Sequence, residues 1–284
     1  MPELPEVTTM VKGLRKTVLK SAVLDIWCDS KKNIKTPSFA KFKKGILKAK
    51  IEKIERKGKL ILFYLNNNKV LIVHPKMSGH FLYGSWERIE DKWVSKSKGA
   101  LSDPMNRFIH LMFFMNNGKM LAFSDLRKFA RIELWDEKDL KKADMVKNIG
   151  PDALKISFQE FEEILRNKRK IKQVLMDQKL IAGIGNIYSD EILFFARVNP
   201  FRTADSLKKQ EKERIYKGIK EILEKGVKLA GSSISDFRKI DGKRGGFQDI
   251  TKAYHQKECS KCKGKIKREK IGGRTTNFCE KCQK

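Results

Sequence analysis

The chain of 284 residues is long enough to bury a sizeable core and is expected to form more than one domain. Its formal net charge of +29 favours a polyanionic partner such as nucleic acid, although a genome-wide bias towards lysine would add to the same surplus. The acidic N-terminus and the short apolar runs exclude a signal peptide and a membrane span, so we expect a cytoplasmic protein that makes no membrane contact.

The first six residues, Met-Pro-Glu-Leu-Pro-Glu, combine a candidate nucleophile with two acids. If Met1 is removed, Pro2 becomes a free secondary amine, and an α-amino group with a pKa near ~8 is partly unprotonated at neutral pH. Glu3 and Glu6 follow within one helical turn, which suits imine chemistry with proton transfer. The alternative is only a capped helix start, because proline and acids are both favoured there. Apolar spacing predicts a helix over residues 2–20 in either case.

Residues 22 to about 135 carry short runs of β-branched, leucine and aromatic residues, separated by turns rich in Asn and Gly. This pattern predicts an antiparallel β-sandwich or barrel. The predicted strands are 22–28, 51–54, 60–65, 70–73, 108–115, 120–123 and 132–135. Lys59 directly precedes one of them, so its amine either projects towards a ligand or is simply solvated.

Two loops in this half place an apolar side chain beside polar or basic neighbours: Met77-Ser78-Gly79 and Arg127-Lys128-Phe129. Such loops suit insertion into a base stack, with core packing as the alternative. His74 and His110 lie in strand-like runs and have no metal-binding or triad spacing, so they could be ordinary hydrogen-bonded polar residues.

The pattern becomes helical after Gly150-Pro151, with apolar residues every three to four positions over 158–165, 171–176, 187–195 and 207–229. We therefore predict three domains, at residues 1–150, 151–248 and 249–284. Gly183-Ile184-Gly185-Asn186 turns into a helix and could bind an anion through its backbone N–H groups, although a tight helix–helix turn is the simpler explanation. Residues 231–247 are rich in Gly and Lys and predict a mobile loop.

Four of the five cysteines lie at the C-terminus in the pattern C-x2-C-x16-C-x2-C: Cys259, Cys262, Cys279 and Cys282. In a reducing compartment this spacing predicts one tetrahedral Zn²⁺ site. All four positions are protein ligands, so the ion is expected to be structural. The hairpin between the pairs is basic, which favours phosphate contact.

Taken together and in this order, these motifs resemble the bacterial-type formamidopyrimidine-DNA glycosylases, the zinc-finger family with a helix–two-turn–helix. The resemblance rests on the Pro2 motif, Lys59, residues 76–79, residues 125–129, the Gly185-Asn186-Ile187-Tyr188 turn and the four cysteines. It implies an α+β fold with an N-terminal helix, an antiparallel β-sandwich, a helical domain and a four-cysteine zinc-finger hairpin. It also implies a monomer that binds damaged double-stranded DNA between its domains.

The resemblance further implies a bifunctional glycosylase and abasic-site lyase. The Pro2 amine would attack C1′ and form a Schiff base, Glu3 would assist as acid and base, and Glu6 would support the site. Strand cleavage by β,δ-elimination would follow. The expected catalytic set is Pro2, Glu3, Glu6, Lys59 and Arg274.

The same resemblance assigns a DNA-binding set: His74, Met77, His110, Arg127, Phe129, Asn186 and Lys243. Within it, Met77, Arg127 and Phe129 would fill the gap left by the flipped nucleotide, and Asn186 would hold a phosphate with Arg274. Lys243 belongs to a loop, residues 241–247, that would cap an oxidised purine.

Two alternatives are an endonuclease VIII-like enzyme for oxidised pyrimidines and a non-catalytic zinc-finger DNA-binding protein. Leu4 and the capping loop favour 8-oxoguanine and formamidopyrimidines over pyrimidine lesions. The chain departs from frequent family residues at Pro75, Lys76, Leu126 and Ala130, all in or next to the two wedge loops.

Overall fold

The computed structural model describes residues 1–234 and 236–284, and its contacts divide them into two units. Unit 1 comprises Met1–Lys147 and Ala230–Gly246, and unit 2 comprises Asn148–Leu229 and Phe247–Lys284. The first boundary between the units, between Lys147 and Asn148, lies within three residues of the predicted boundary at 150. Residues 230–246, which the sequence pattern places with the helical domain, group instead with unit 1.

Unit 1 opens with helix α1 (Leu4–Thr17), whose start is specified by its own sequence. Glu3 and Glu6 form a capping box, with Glu3 as the cap, and Pro5 lies in the first turn. The predicted helix therefore begins two residues later than its pattern suggested. One face of α1 is buried, including Leu4, Met10 and Leu14 at 0% exposure.

The strands of unit 1 are, in chain order, β1 (Val23–Cys28), β2 (Ile34–Thr36), β3 (Ile51–Lys57), β4 (Leu60–Leu65), β5 (Lys69–His74), β6 (His80–Gly84), β7 (Trp86–Ile89), β8 (Lys92–Ser95), β9 (Ile109–Met115), β10 (Met120–Ser124) and β11 (Arg131–Asp136). They form a four-stranded sheet in the order β1-β9-β10-β6, a five-stranded sheet in the order β2-β11-β5-β4-β3, and the hairpin β7-β8. All pairs are antiparallel except β2 with β11. Two further helices are α2 (Phe39–Ile46) and α3 (Asp144–Lys147).

A single apolar cluster contains residues of both larger sheets and of α1. Within it the rings of Phe63, Phe81 and Phe123 meet edge to face, with centroids 5.6 and 4.9 Å apart. This is the predicted sandwich with its N-terminal helix. Strands β2, β6, β7 and β8 and helices α2 and α3 were not predicted.

The predicted mobile loop forms no helix or strand over its described residues in unit 1, but it makes several specific contacts there. The carbonyl of Ile240 accepts the N–H of Tyr83 at 2.9 Å. The guanidinium of Arg238 lies 3.3 Å from the carboxylate of Asp103, and Phe237 is buried. These contacts attach the segment to the sandwich.

Unit 2 contains helices α4 (Phe158–Ile164), α5 (Ile171–Met176), α6 (Asn186–Ala196) and α7 (Lys209–Lys228), followed by the hairpin strands β12 (Lys267–Ile271) and β13 (Arg274–Phe278). The predicted stripe on α7 is buried at Ile215, Ile219 and Leu223. Across the described part of the chain, no helix combines the length and the apolar character needed to cross a membrane.

Candidate active site

Both N-terminal carboxylates are buried, and that of Glu6 is bonded to the 230–246 segment. Glu6 accepts the backbone N–H of Glu3 through Oε2 at 2.7 Å and that of Ser232 through Oε1 at 2.7 Å. Gly231 has φ +79°, and a Cβ there would lie 2.7 Å from Glu6 Oε1. Only glycine fits this approach without strain. Glu6 therefore fixes the start of α1 against this segment.

The terminal amine lies in an environment that favours its neutral form. Burial lowers the pKa of the Met1 α-amino group, Glu3 and Glu6 oppose that shift, and Lys59 reinforces it. An amine with a lowered pKa has a larger nucleophilic fraction at neutral pH. The structure thus brings together the N-terminus, the two acids and Lys59.

Lys59 occupies the turn between β3 and β4, immediately after Gly58 with φ +55°. Only 5% of it is exposed. A solvated surface lysine, the alternative offered by the sequence, does not describe this side chain. Its amine is instead held inside unit 1, close enough to affect the N-terminal amine.

The two wedge loops present their predicted side chains differently. Phe129 is 55% exposed, which core packing would not allow, and the guanidinium of Arg127 lies over its ring at 5.0 Å. Met77 is half-buried. Ala130 is 1% exposed and its backbone is not left-handed, so this position does not require glycine.

The two histidines of the expected DNA-binding set are both hydrogen-bonded. His74 Nδ1 accepts the N–H of Lys76 at 3.0 Å, and burial, with Lys76 and Lys59 nearby, lowers the pKa of His74 to about 3. His74 is therefore neutral and carries its proton on Nε2. His110 Nδ1 lies 2.9 Å from both carboxylate oxygens of Asp29, and among the described residues its buried Nε2 has no partner.

In unit 2 the side chain of Gln178 organises the turn between α5 and α6. Its amide donates to the carbonyls of Met176 and Ile184 at 2.7 and 2.8 Å and accepts the N–H of Gly183 at 2.9 Å. Asn186 is the first residue of α6, and its buried Oδ1 has no partner among the described residues. Its position at a helix N-terminus suits a phosphate contact.

The four cysteines of the finger meet as predicted, with all Sγ atoms within 4.8 Å of one another. Cys259 and Cys282 are 3.8 Å apart, and Cys262 and Cys279 are 3.5 Å apart. A tetrahedral zinc ion about 2.3 Å from each sulfur places the sulfurs about 3.8 Å from one another. The set fits one structural zinc ion, with no position left for a substrate.

The basic hairpin of the finger turns at Gly272-Gly273, with φ +54° and +74°. A two-residue turn with both φ values positive explains the glycine pair. Arg274 follows at the start of β13 and is exposed. Lys243, in unit 1, is also exposed, and its N–H donates to Asp241 Oδ1 at 3.1 Å.

A buried ion pair that the sequence did not reveal holds the finger to the helices of unit 2. Lys172 Nζ lies 2.6 Å from Asp190 Oδ1, and both side chains are at most 1% exposed. Asp190 Oδ2 accepts the backbone and side-chain N–H groups of Asn277 at 2.9 and 2.8 Å. No spacing signal marks these contacts, because their partners are 18 and 87 residues apart.

The fold and these groups define a class of protein: a sandwich unit with two buried acids next to its N-terminus and a helical unit with a four-cysteine finger. Three family models match consecutive parts of the chain. They are the formamidopyrimidine-DNA glycosylase N-terminal domain over residues 1–132, the formamidopyrimidine-DNA glycosylase H2TH domain over 149–238, and the zinc finger found in FPG and IleRS over 256–284. The chain belongs to the formamidopyrimidine-DNA glycosylase family.

Individual relatives agree over the full length. The formamidopyrimidine-DNA glycosylase of Pelotomaculum thermopropionicum is 35% identical, with 100% of this chain and 99% of the relative covered. Among solved structures, Lactococcus lactis Fpg in complex with N7-benzyl-Fapy-dG-containing DNA has a TM-score of 0.86 and 30% identity, with 99% of each chain covered. The same values hold for a complex of Lactococcus lactis Fpg with abasic-site-containing DNA. The predicted family, fold class and structural zinc are confirmed.

Proposed function

We propose that this protein excises oxidised purines from duplex DNA and cuts the strand at the resulting abasic site. The observation that carries the proposal is the setting of Pro2, which is buried at the start of α1 in the same unit as the buried Glu3, Glu6 and Lys59, with the charges of all three close enough to act on the N-terminal amine. Family membership supports it, as do the formamidopyrimidine-containing and abasic DNA bound to the solved relatives. The net charge of +29 suits a DNA substrate.

In the proposed reaction Met1 is removed and the Pro2 nitrogen attacks C1′ of the damaged nucleoside. The C1′–N bond breaks, the base leaves with a proton, and the ring-opened sugar forms an imine with Pro2. Glu3 transfers protons at the sugar, and Lys59 assists near the scissile phosphate. Loss of a C2′ proton expels the 3′ phosphate, and a second elimination expels the 5′ phosphate, with Arg274 holding a phosphate.

We assign DNA contacts to the residues of the expected set. Met77, Arg127 and Phe129 fill the gap left by the extruded nucleotide, a role for which the exposed Phe129 is suited. His74, His110, Asn186 and Lys243 hold the backbone or the lesion. His74 takes part as a neutral donor through Nε2–H, because its Nδ1 is already occupied.

Purine lesions are favoured over pyrimidine lesions because the relatives named above are formamidopyrimidine-DNA glycosylases. Single-turnover excision of 8-oxoguanine opposite cytosine should be much faster than excision of thymine glycol. The reverse order would place the enzyme with the endonuclease VIII-like branch. We further propose that the protein acts as a monomer on the nucleoid in the cytoplasm. Light scattering with and without a lesion duplex tests whether it is a monomer.

The Schiff base is the most direct test of the chemistry. Protein is mixed with an 8-oxoguanine duplex and borohydride, and the covalent adduct is digested and mapped by mass spectrometry. We expect the adduct on residue 2 of a chain that lacks Met1. A chain that keeps Met1, an adduct on Lys59, or a Pro2→Gly variant that traps as well as the wild type would contradict the proposed nucleophile. Absence of any nicking on an abasic duplex would favour a non-catalytic DNA-binding protein.

A further inference from the structure

We propose that Ser78 and Asp125 are positioning residues that lock the two wedge loops into one rigid unit, so that Met77 and the pair Arg127 and Phe129 enter the DNA together. The inference rests on the proposed function, because it concerns how the duplex is opened around the lesion. Neither residue belongs to the expected catalytic or DNA-binding sets.

The hydroxyl of Ser78 joins the two loops directly. Its Oγ donates to Asp125 Oδ1 at 2.5 Å and accepts the backbone N–H of Arg127 at 3.0 Å. Ser78 is the residue next to Met77 and is 1% exposed. One buried hydroxyl therefore connects the segment that carries Met77 to the backbone of Arg127.

The carboxylate of Asp125 closes the second loop on itself. Asp125 is fully buried, and its Oδ2 accepts the N–H of Ala130 at 2.8 Å. The N–H of Lys128 donates back to the carbonyl of Asp125 at 3.0 Å. Residues 126–129, which include the exposed Arg127 and Phe129, are thus held at both ends by one residue.

Asn33 anchors this arrangement to the sandwich. Its amide donates to the carbonyl of Ala130 at 3.2 Å and reaches Asp125 Oδ2 at 3.5 Å, and its Oδ1 accepts the hydroxyl of Ser30 at 2.7 Å. Hydrogen bonds to a buried carboxylate are among the stronger ones in proteins, and a connected network resists the loss of any single member. The loops therefore have little freedom to move separately.

Rigid coupling matters because opening a stacked duplex has a free-energy cost that the inserted side chains must offset. If the two loops moved independently, each would have to insert its side chain while the bases were still stacked. A locked pair presents all three side chains at once. The coupling should be needed for a stacked lesion and hardly needed for an abasic site, where no base has to leave the stack.

The test compares wild type, Ser78→Ala and Asp125→Asn on two duplexes. Ser78→Ala removes the connecting hydroxyl. Asp125→Asn keeps the size of the side chain, but its amide N–H would face a group that also donates, either the Ser78 hydroxyl or the Ala130 N–H. Ser124→Ala is the matched control, since Ser124 is equally buried and adjacent to Asp125, but its hydroxyl donates to the carbonyl of Met105, outside both wedge loops, at 3.4 Å. The readouts are single-turnover excision of 8-oxoguanine, fluorescence of 2-aminopurine beside the lesion, and borohydride trapping on a preformed abasic duplex.

For both loop variants we expect two rates to fall about 10- to 100-fold: the rate of the 2-aminopurine fluorescence change (the fluorescence step) and the excision rate. This is the range for loss of a hydrogen bond to a charged group. Trapping on abasic DNA should stay within about threefold of wild type, as should every readout for Ser124→Ala. Variants with a wild-type fluorescence step overturn the inference, and so does equal slowing on both duplexes together with a lowered Tm. A wild-type protein that traps no abasic DNA instead refutes the proposed function.

Discussion

Glu6 shows how one side chain can link the N-terminus to a distant segment. It receives two backbone N–H groups, from Glu3 and from Ser232, and a glycine at 231 makes room for it. The sequence predicted an acid that supports the site, but nothing in the spacing indicated that its partner lies 226 residues away. The buried carboxylate has a positioning role as well as a charge.

Replacing Glu6 by Gln should test this role. The amide has only one carbonyl oxygen, so at least one of the two N–H groups loses its acceptor. We expect the free energy of unfolding to fall by about 1–3 kcal/mol, as for other buried hydrogen bonds to charged groups. Urea denaturation measures this directly. Glu163→Gln is the control, because that carboxylate is largely exposed and pairs with Arg166 at the surface. Equal losses in both variants would show that Glu6 does not hold the segment.

His74 gives a prediction on pH. The pKa of His74 in the folded protein is about 3, below the ordinary value of 6.5, because burial and the neighbouring Lys76 and Lys59 disfavour its charged form. Below about pH 6.5 the His74 side chain takes up a proton in the unfolded chain but not in the folded protein. Stability is therefore complete above that pH and declines as the pH falls towards 3.

A His74→Asn variant keeps an acceptor for the Lys76 N–H and removes the titration. Between pH 7 and pH 5, wild type should lose on the order of 1–2 kcal/mol more of its unfolding free energy than this variant. Chemical denaturation at both pH values measures the difference. An exposed histidine, His255, provides the control, and a His255→Asn variant should follow wild type. Parallel pH dependence in wild type and His74→Asn would contradict a His74 that stays neutral in the folded protein.

At the scale of elements, periodicity predicted most of the fold. The four helices of unit 2 and all seven strand segments predicted for unit 1 lie where the spacing of apolar residues placed them, since those apolar residues are largely buried. The hairpin β7-β8 was missed because three of the four residues of β7 are exposed and β8 alternates between half-buried and exposed positions. The hydrogen bonds of Asp125 and Asp190 were not predicted for another reason. They join residues far apart in sequence, and a single sequence does not indicate which distant residues are in contact.

The finger depends on zinc, whereas the helices of unit 2 have their own buried residues. Removal of zinc by chelation, or Cys279→Ala, should unfold the hairpin β12-β13 and weaken binding to a lesion duplex. Helical circular dichroism from α4 to α7 should persist, and the mass of the N-terminal peptide should be the same as in the zinc-loaded wild type. Ser260→Ala, an exposed change within the first cysteine knuckle, is the control. If DNA affinity were unchanged after zinc loss, the finger would not be a DNA clamp.

At the scale of the whole molecule, the charge of +29 affects every encounter with DNA, damaged or not. Each cation that neutralises a phosphate releases counterions, so the logarithm of affinity falls with the logarithm of salt concentration by about 0.9 per contact. This term concentrates the protein on DNA without selecting a site. Selection must come from groups that act only where the duplex is opened.

Two substitutions should separate these contributions. Arg274→Gln should weaken binding to lesion-bearing and undamaged duplexes alike and reduce the magnitude of the salt slope by about 0.9, because it removes one phosphate contact. Phe129→Ala should weaken binding to the lesion duplex alone and leave the slope unchanged, because an apolar wedge releases no counterions. Arg166→Gln, which removes an exposed charge paired with Glu163, controls for net charge. Fluorescence anisotropy across a salt series measures the DNA affinity of wild type and the three variants. A salt slope that changes equally in Arg274→Gln and Arg166→Gln would show that Arg274 acts through net charge and not through a phosphate contact.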